Sequence, residues 1–280
     1  MAGIPNTVLA HDFCHLPPLP NTDIAMPSLK RMHLTGSVEM SRHFILKNAA
    51  TITLLDIPGQ LPSHRDHDIV YDCLRELSCT RVGRNAASLC PALRHLKLEV
   101  GYGYDRLRQV VDEISELVHL KSLYFNYCRG GERMEREVET FFNLFDGQHE
   151  LEEVSLSFGC RNWYHLTRLI DKLVKNNPSL KRLCLEDITM TNSCLQPLCA
   201  LQHLERLVLG YQSEVTSAGI KALLRGGSRH VLQQLHFSYQ TIMDEVREEV
   251  DRVNEEKKWM YLPLTASSRL VLQTRAQSYF

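Results

Sequence analysis

One spacing recurs down this chain: an apolar residue, two variable positions, a second apolar residue, one variable position and a third apolar residue. Its copies start at Leu29, Ile52, Leu74, Leu93, Leu120, Leu151, Leu180, Leu204 and Leu232. The steps between them are 23, 22, 19, 27, 31, 29, 24 and 28 residues. The last two apolar residues of each copy alternate with polar ones, as on one side of a short strand. A lone strand with one apolar side has nothing to bury it against. The spacing therefore demands stacking, with each copy a short strand plus a longer returning segment whose apolar residues are covered by the next copy.

The expected fold is an α/β leucine-rich-repeat solenoid: a ribonuclease-inhibitor-like horseshoe with a parallel sheet on the concave side and helices on the convex side. Helical periodicity follows the strands. Leu107, Val110, Val111, Ile114 and Leu117 mark one face, and Val138, Phe141, Phe142 and Phe145 another. Leu166, Leu169, Ile170 and Leu173 mark a third. Gly226-Gly227 reads as the end of a helix carrying Ile220, Leu223 and Leu224. Residues 1–28 are Pro-rich and show no clear repeat, so they read as an N-terminal cap or as the remnant of a longer chain. Residues 29–241 read as one continuous solenoid, and 242–280 as a C-terminal capping helix and tail. In that helix Ile242, Val246, Val250 and Val253 form a narrow apolar stripe among charged residues that include Glu249. Leu270-Val271-Leu272 reads as a last edge strand.

Composition narrows the function classes. Lys plus Arg number 32 and Asp plus Glu 33, a net charge of −1, which lacks the overall basic footprint of a nucleic-acid binder. No stretch has the ~18 uninterrupted apolar residues of a membrane span, and the N-terminus shows no secretory signal pattern. Nine cysteines are present; the number is odd, no pair is spaced Cys-x-x-Cys, and Cys79 and Cys184 fall on strands where the repeat wants a small buried residue. Reduced thiols and a cytoplasmic or nuclear location are expected.

Some repeats carry more than the apolar spacing. Cys90-Pro91-Ala92-Leu93, followed by Leu96 and Leu98, resembles the "Cys-Pro-x-Leu-x-x-Leu-x-Leu" phrase of cysteine-containing leucine-rich repeats. Asn177-Pro178-Ser179-Leu180 is similar, with Asn for Cys, and so is Met26-Pro27-Ser28-Leu29. Cys128 falls eight residues after Leu120, where that repeat type places its cysteine. Val215-Thr216-Ser217-Ala218-Gly219-Ile220 looks like that repeat's helix opening, with Thr216 as its N-cap. Met190-Thr191-Asn192-Ser193-Cys194-Leu195 echoes it. The resemblance covers roughly residues 26–240. Repeats of this kind resemble the substrate-receptor domains of F-box/leucine-rich-repeat proteins. That likeness implies a non-catalytic protein-binding module, with substrate recognition for an SCF-type ubiquitin ligase as its role. The alternative is an interaction scaffold or inhibitor unrelated to ubiquitin. An F-box itself is not evident here: the first repeat begins at Leu29, and Val8 to Leu16 is stopped by Pro17, Pro18 and Pro20. A ligase adaptor is a partner only if an F-box lies upstream.

Residues that alternate with the buried apolar ones form the candidate protein-binding face: His95, Lys97, Glu99, Tyr124, Asn126, Glu153, Ser155, Arg182, Glu186, Arg206 and His236. Their mixed signs suit a protein or peptide target, with no nucleic acid and no membrane as partner. Tyr127, Phe158, Tyr211 and Tyr239 stand seven residues after each first apolar residue, as a lid over the core or a binding ridge along the strand-exit rim. Tyr104, Trp163 and Tyr164, in longer loops, complete the candidates.

No chemistry survives inspection. Gly101-Tyr102-Gly103-Tyr104-Asp105-Arg106 puts Arg106 where a dinucleotide loop needs its third glycine. His64-Arg65-Asp66 matches three letters of a kinase loop, but Tyr71 holds the metal-binding Asn position. His64, Asp66, His67 and Asp68 lack a spaced partner pair for a metal and read as a charged helix opening. No enzyme, cofactor or metal is expected.

Overall fold

The structure, a computed structural model, describes residues 7–10, 29–34, 38–62, 69–100, 107–127, 143–160, 166–210, 214–228, 231–237, 240–260 and 271–273. The chain forms two compact units, Met1–Phe125 and Asn126–Phe280. The division falls within the strand that opens the longest step between repeats, from Leu120 to Leu151.

The first unit holds β1 (Thr7–Ala10), β2 (Arg31–Leu34), β3 (Leu54–Asp56), β4 (Glu76–Cys79), β5 (His95–Val100) and the start of β6 (Ser122–Tyr127). Its helices are α1 (Val38–Lys47), α2 (Ala86–Leu89) and α3 (Leu107–Ser115). The second unit holds β7 (Glu153–Cys160), β8 (Arg182–Ile188), β9 (Arg206–Leu209), β10 (Gln234–His236) and β11 (Val271–Gln273). Its helices are α4 (Leu166–Asn176), α5 (Asn192–Leu195), α6 (Ser217–Leu224) and α7 (Gln240–Met260). Within each unit the strands follow sequence order and pair in parallel with no crossover out of turn. This is a leucine-rich-repeat solenoid.

The register is the one the spacing demands. Met32 stands against Leu55, Leu55 against Leu77, and Leu77 against Leu96. In the second unit Val154 aligns with Leu183, Leu183 with Leu207, and Leu207 with Leu235. All three apolar positions are buried in all nine repeats. The position three residues ahead of the first one is also interior, and it takes varied residues: Ala49, Tyr71, Cys90, Leu117, Gln148, Asn177 and Leu201.

Polar residues there must find partners. The Tyr71 hydroxyl donates to the Pro62 carbonyl at 2.8 Å. Asn177, which replaces Cys in its repeat, donates to the Leu173 carbonyl at 3.2 Å and accepts from the Leu151 N–H of the preceding repeat at 2.9 Å. A buried amide is tolerated because both its ends are satisfied.

A recurring backbone ladder sets the register. The carbonyl just ahead of one strand accepts two N–H groups from the same place in the next repeat. Lys30 O receives Thr53 and Leu54 (2.7 and 3.1 Å), and Arg75 O receives Arg94 and His95 (both 2.9 Å). Lys181 O receives Glu205 and Arg206 (2.7 and 3.0 Å).

Several expectations need adjustment. Residues 1–28 carry β1, in which Val8 aligns with Met32 and Ala10 with Leu34. This strand continues the parallel order of the sheet ahead of the first repeat. Thr216 does occupy the N-cap position of α6, but its hydroxyl makes no cap bond. Asn192 of the previous repeat holds it instead, donating to Thr216 Oγ1 and accepting from the Thr216 N–H, each at 2.9 Å. Gly219 follows from this pairing, since a Cβ there would overlap the Asn192 carboxamide. The Gly226-Gly227 pair does follow α6, and the Gly227 N–H donates to Cys199 O at 2.7 Å.

Two glutamates are buried among the described residues, and one of them, Glu249, lies on the helix whose charged residues read as solvated. Glu113, on α3 among Val110, Val111 and Ile114, accepts from Arg81 Nη2 at 2.7 Å and from the Gly83 N–H at 2.9 Å. Gly83 sits at φ +108°, which a side chain would strain. Glu249, on the capping helix α7, accepts from Arg225 Nε and Nη2 at 2.9 and 3.1 Å and pairs with Arg252. Val246, Val250 and Val253 are buried as expected. The helix face around Val138, Phe141 and Phe142 lies outside the described residues, and Phe145 beside it is buried.

Leu185→Ala is expected to cost about 2–5 kcal/mol of stability in urea unfolding, the range for emptying a buried leucine site. Lys97→Ala, on the exposed face, is expected to stay within about 0.5 kcal/mol of the parent. Hydrogen bonds from Arg225 and then Arg252 hold the Glu249 carboxyl down to about 2, below its ordinary 4.5. A depressed folded-state value stabilises at higher pH, so this contribution is fully present above 4.5 and is lost as the pH falls toward 2. Glu249→Gln should therefore lower the unfolding midpoint at neutral pH, and the gap from the parent should close as the medium is acidified through that window.

Candidate protein-binding surface

Strand alternation delivers polar side chains to the sheet face opposite the buried residues, and parallel register lines them into rows across the strands. In the first unit one row reads Arg31, Leu54, Glu76, His95, and the next His33, Asp56, Ser78, Lys97. Ser122 and Tyr124 of β6 lie beyond them. The side chains around these rows enclose a shallow depression of about 270 Å³, lined by His33, Leu54, Asp56, Glu76, His95 and Tyr124 among others.

Contacts among these groups hold its walls in place. His33 Nδ1 lies 3.3 Å from Asp56 Oδ2. The Lys97 ammonium stands 2.7 Å from Glu99 Oε1 and 5.3 Å from the centre of the Tyr124 ring. The Glu99 carboxylate beside it raises the Lys97 ammonium above its ordinary value, so the cation is retained. Solvated ion pairs of this kind add little stability. Their effect is to orient side chains that would otherwise sample many rotamers.

Of the residues singled out from sequence, His95, Lys97 and Tyr124 line this depression, and Glu99 continues along β5. Asn126 follows on β6 within the second unit. Glu153, Ser155, Arg182, Glu186, Arg206 and His236 all reach the outward side of the second unit's strands, exposed or half-buried. Arg182 Nη1 and Glu153 Oε1 pair across β7 and β8 at 2.9 Å. Tyr104, Trp163 and Tyr164 lie outside the described residues, as do the Gly101–Arg106 loop, the His64–Asp68 cluster, Cys128, Tyr211 and Tyr239. Tyr127 and Phe158, the described members of the strand-exit aromatics, are fully buried. They are a lid over the core, not a ridge.

Sequence reasoning passed over Leu54, Asp56, Glu76 and Ser78. They hold the same outward positions in the second and third repeats as His95 and Lys97 hold in the fourth, so register alone identifies them. Cys184 needs correction. It sits between buried Leu183 and Leu185, so strand parity turns it outward, half-buried, with its thiol 3.5 Å from Glu186 Oε1. Cys79, at a third apolar position, is buried as expected.

No protein-family model matches the chain, and no curated protein does. Among solved structures it is similar to human 5T4, also called Wnt-activated inhibitory factor 1 or trophoblast glycoprotein. The identity is 17% over 80% of this chain and 81% of that one, with a TM-score of 0.46. An internalin from Listeria monocytogenes is 12% identical over 79% of this chain and 66% of its own, with a TM-score of 0.43. TLR13, solved as a complex with ssRNA13, is 17% identical over 76% of this chain, which spans 33% of that longer protein, with a TM-score of 0.44. The fold assignment rests on the strand ladder and register above.

Thiol exposure gives a direct check of the register. In the native protein Cys73, which is exposed, and Cys184, which is half-exposed, should take up iodoacetamide. Cys90, whose thiol burial pushes up to about 12, and Cys79, raised further by burial, should stay unlabelled until the chain is unfolded. Peptide mass spectrometry reads each site.

Proposed function

We propose that this chain is a non-catalytic protein-binding module whose first unit holds a protein target on its outward sheet face. The carrying observation is the depression whose polar walls come from five neighbouring strands, β2 to β6, and are braced by the His33–Asp56, Lys97–Glu99 and Lys97–Tyr124 contacts. A surface braced in the free protein loses less side-chain freedom when a target arrives. Its signs alternate, with Asp56, Glu76 and Glu99 among His33, His95 and Lys97, and Leu54 and Tyr124 add apolar area. That mixture suits a polypeptide, which offers both charges and apolar side chains, better than a lipid surface.

The narrower reading is substrate recognition for an SCF-type ubiquitin ligase. It is supported by the Cys90-Pro91-Ala92-Leu93 phrase and the Val215-Thr216 to Gly219-Ile220 helix opening, which resemble the receptor repeats of F-box proteins. In that role the scaffold positions a target and other subunits perform the transfer. The second reading is an interaction scaffold or inhibitor with no ubiquitin connection. A cytoplasmic or nuclear setting is part of the proposal, and the free thiols Cys73, Cys79, Cys90, Cys184, Cys194 and Cys199 support it.

Affinity purification under reducing conditions, with the parent chain and a Lys97→Glu/Tyr124→Ala variant, tests this. The expected result is a reproducible set of protein partners that falls at least about tenfold with the variant, the loss typical of removing a central anchor. Partners retained equally by both chains would contradict the assignment of the face. Recovery of a cullin or its adaptor would support the ligase reading, and partners free of both would support the scaffold reading.

A further inference from the structure

Among the positions whose chemistry the fold does not dictate is the residue directly ahead of each strand. In the first unit these residues are Lys30, Thr53, Arg75, Arg94 and Lys121. Their backbones are tied in that order. Thr53 N–H donates to Lys30 O at 2.7 Å, Arg75 to Thr53 O at 2.9 Å, Arg94 to Arg75 O at 2.9 Å and Lys121 to Arg94 O at 2.7 Å. Neighbours therefore stand about one strand spacing apart, ~4.8 Å, and the run spans roughly 19 Å. Arg31, next to Lys30, is exposed, as are Lys30 and Arg75, while Arg94 and Lys121 are half-buried. Lys30, Arg31 and Arg75 form no ion pair among the described residues, and Arg94 donates to a backbone carbonyl, that of His119, at 3.1 Å.

The second unit shows that nothing in the repeat requires this. The same position there reads Glu152, Lys181, Glu205 and Gln233, joined by the same backbone bonds. Its signs alternate, and Lys181 Nζ meets Glu152 Oε2 at 2.6 Å. Like charges on adjacent strands repel, so a run of cations lowers stability where alternation would not. The chain as a whole is near neutral at −1, so the run is not one sample of a generally basic surface.

We propose that this strand-start rim of the first unit binds an acidic segment of a protein partner, with carboxylates seated along Lys30, Arg31, Arg75 and Arg94. The proposal rests on the reading of the first unit as a protein-binding face and names the chemistry of what it takes. A peptide is favoured over a nucleic-acid strand because exposed Glu76 directly follows Arg75, and Asp56 lies in the next row. A continuous phosphate chain crossing the rim would meet those carboxylates, whereas a peptide sets its charges one residue at a time. Leu54 and Tyr124 in the adjoining depression offer contacts to side chains between the acidic ones.

Fluorescence anisotropy with the full chain tests this, using a labelled peptide of alternating Glu and Ser, its Gln-for-Glu counterpart, and an oligothymidylate of equal length. The Glu peptide should bind saturably at low salt, at least about tenfold tighter than the Gln peptide, and weaken as salt rises. Arg75→Glu/Arg94→Glu should lower its affinity about tenfold or more, with the neutral Arg75→Gln/Arg94→Gln pair intermediate. Lys181→Ala, at the same position in the second unit, should leave it unchanged. Circular dichroism and urea midpoints confirm that each variant is folded, and the neutral pair serves if charge reversal unfolds the chain. No saturable binding of the Glu peptide, indifference to both Arg75/Arg94 variants, or tighter binding of the oligothymidylate would overturn the proposal. Target capture that survives the rim variant but not Lys97→Glu/Tyr124→Ala would also overturn it, while leaving the face reading intact. Capture lost with the rim variant alone would uphold the rim and count against the depression.

Discussion

The hydrogen bonds joining the start of each strand to the start of the next are the constraint from which the rest of each unit follows. One carbonyl receives two N–H groups, and the pattern repeats from Lys30 to Thr53, Arg75, Arg94 and Lys121, and again from Glu152 to Lys181, Glu205 and Gln233. Once these bonds set the register, the apolar residues of neighbouring repeats must meet. A single repeat buries too little apolar surface to offset the ordering of its own backbone, so its stability is borrowed from its neighbours. Variation is then confined to what the ladder leaves open: the returning segments, the outward rows and the residue ahead of each strand.

That division of labour explains what was legible in the sequence. The buried triplets could be read because they answer to one requirement, apolar and of suitable size, and all nine are buried. So could the α3 and α4 faces, where helical period and burial coincide. The first strand was hidden because Thr7–Ala10 carries no leucine triplet to mark it. Glu249 was misjudged, and the burial of Glu113 was not foreseen, for another reason. A carboxylate is interior only if donors reach it, and the donors come from Arg81, Gly83, Arg225 and Arg252, distant in sequence or one helical turn away. Apolar spacing carries no record of such partners. Cys184 was misplaced by composition: cysteine suggests burial, but parity decides, and it falls on the outward side.

The candidate site was legible in outline and incomplete in detail. His95, Lys97 and Tyr124 were found because their repeats match the pattern well. Leu54, Asp56, Glu76 and Ser78 were not, although register puts them beside those residues. The two units use the same outward positions differently. Glu153–Arg182 and Glu152–Lys181 pair across adjacent strands in the second, while the first gathers cations at its strand starts and a braced, mixed depression beside them. Because the backbone ladder and the buried triplets supply the stability, either surface can be recast without disturbing the fold. That freedom underlies the reading of the first unit as the binding part.

Native-state hydrogen–deuterium exchange tests the central claim most directly, that repeats hold one another in place through the strand-start ladder. The amides of Thr53, Arg75, Arg94 and Lys121 should exchange slowly and with similar opening free energies, and so should those of Lys181, Glu205 and Gln233 in their own unit. Fast exchange at these amides while helices α3 and α4 stay protected, or single repeats opening independently with widely different free energies, would contradict the account.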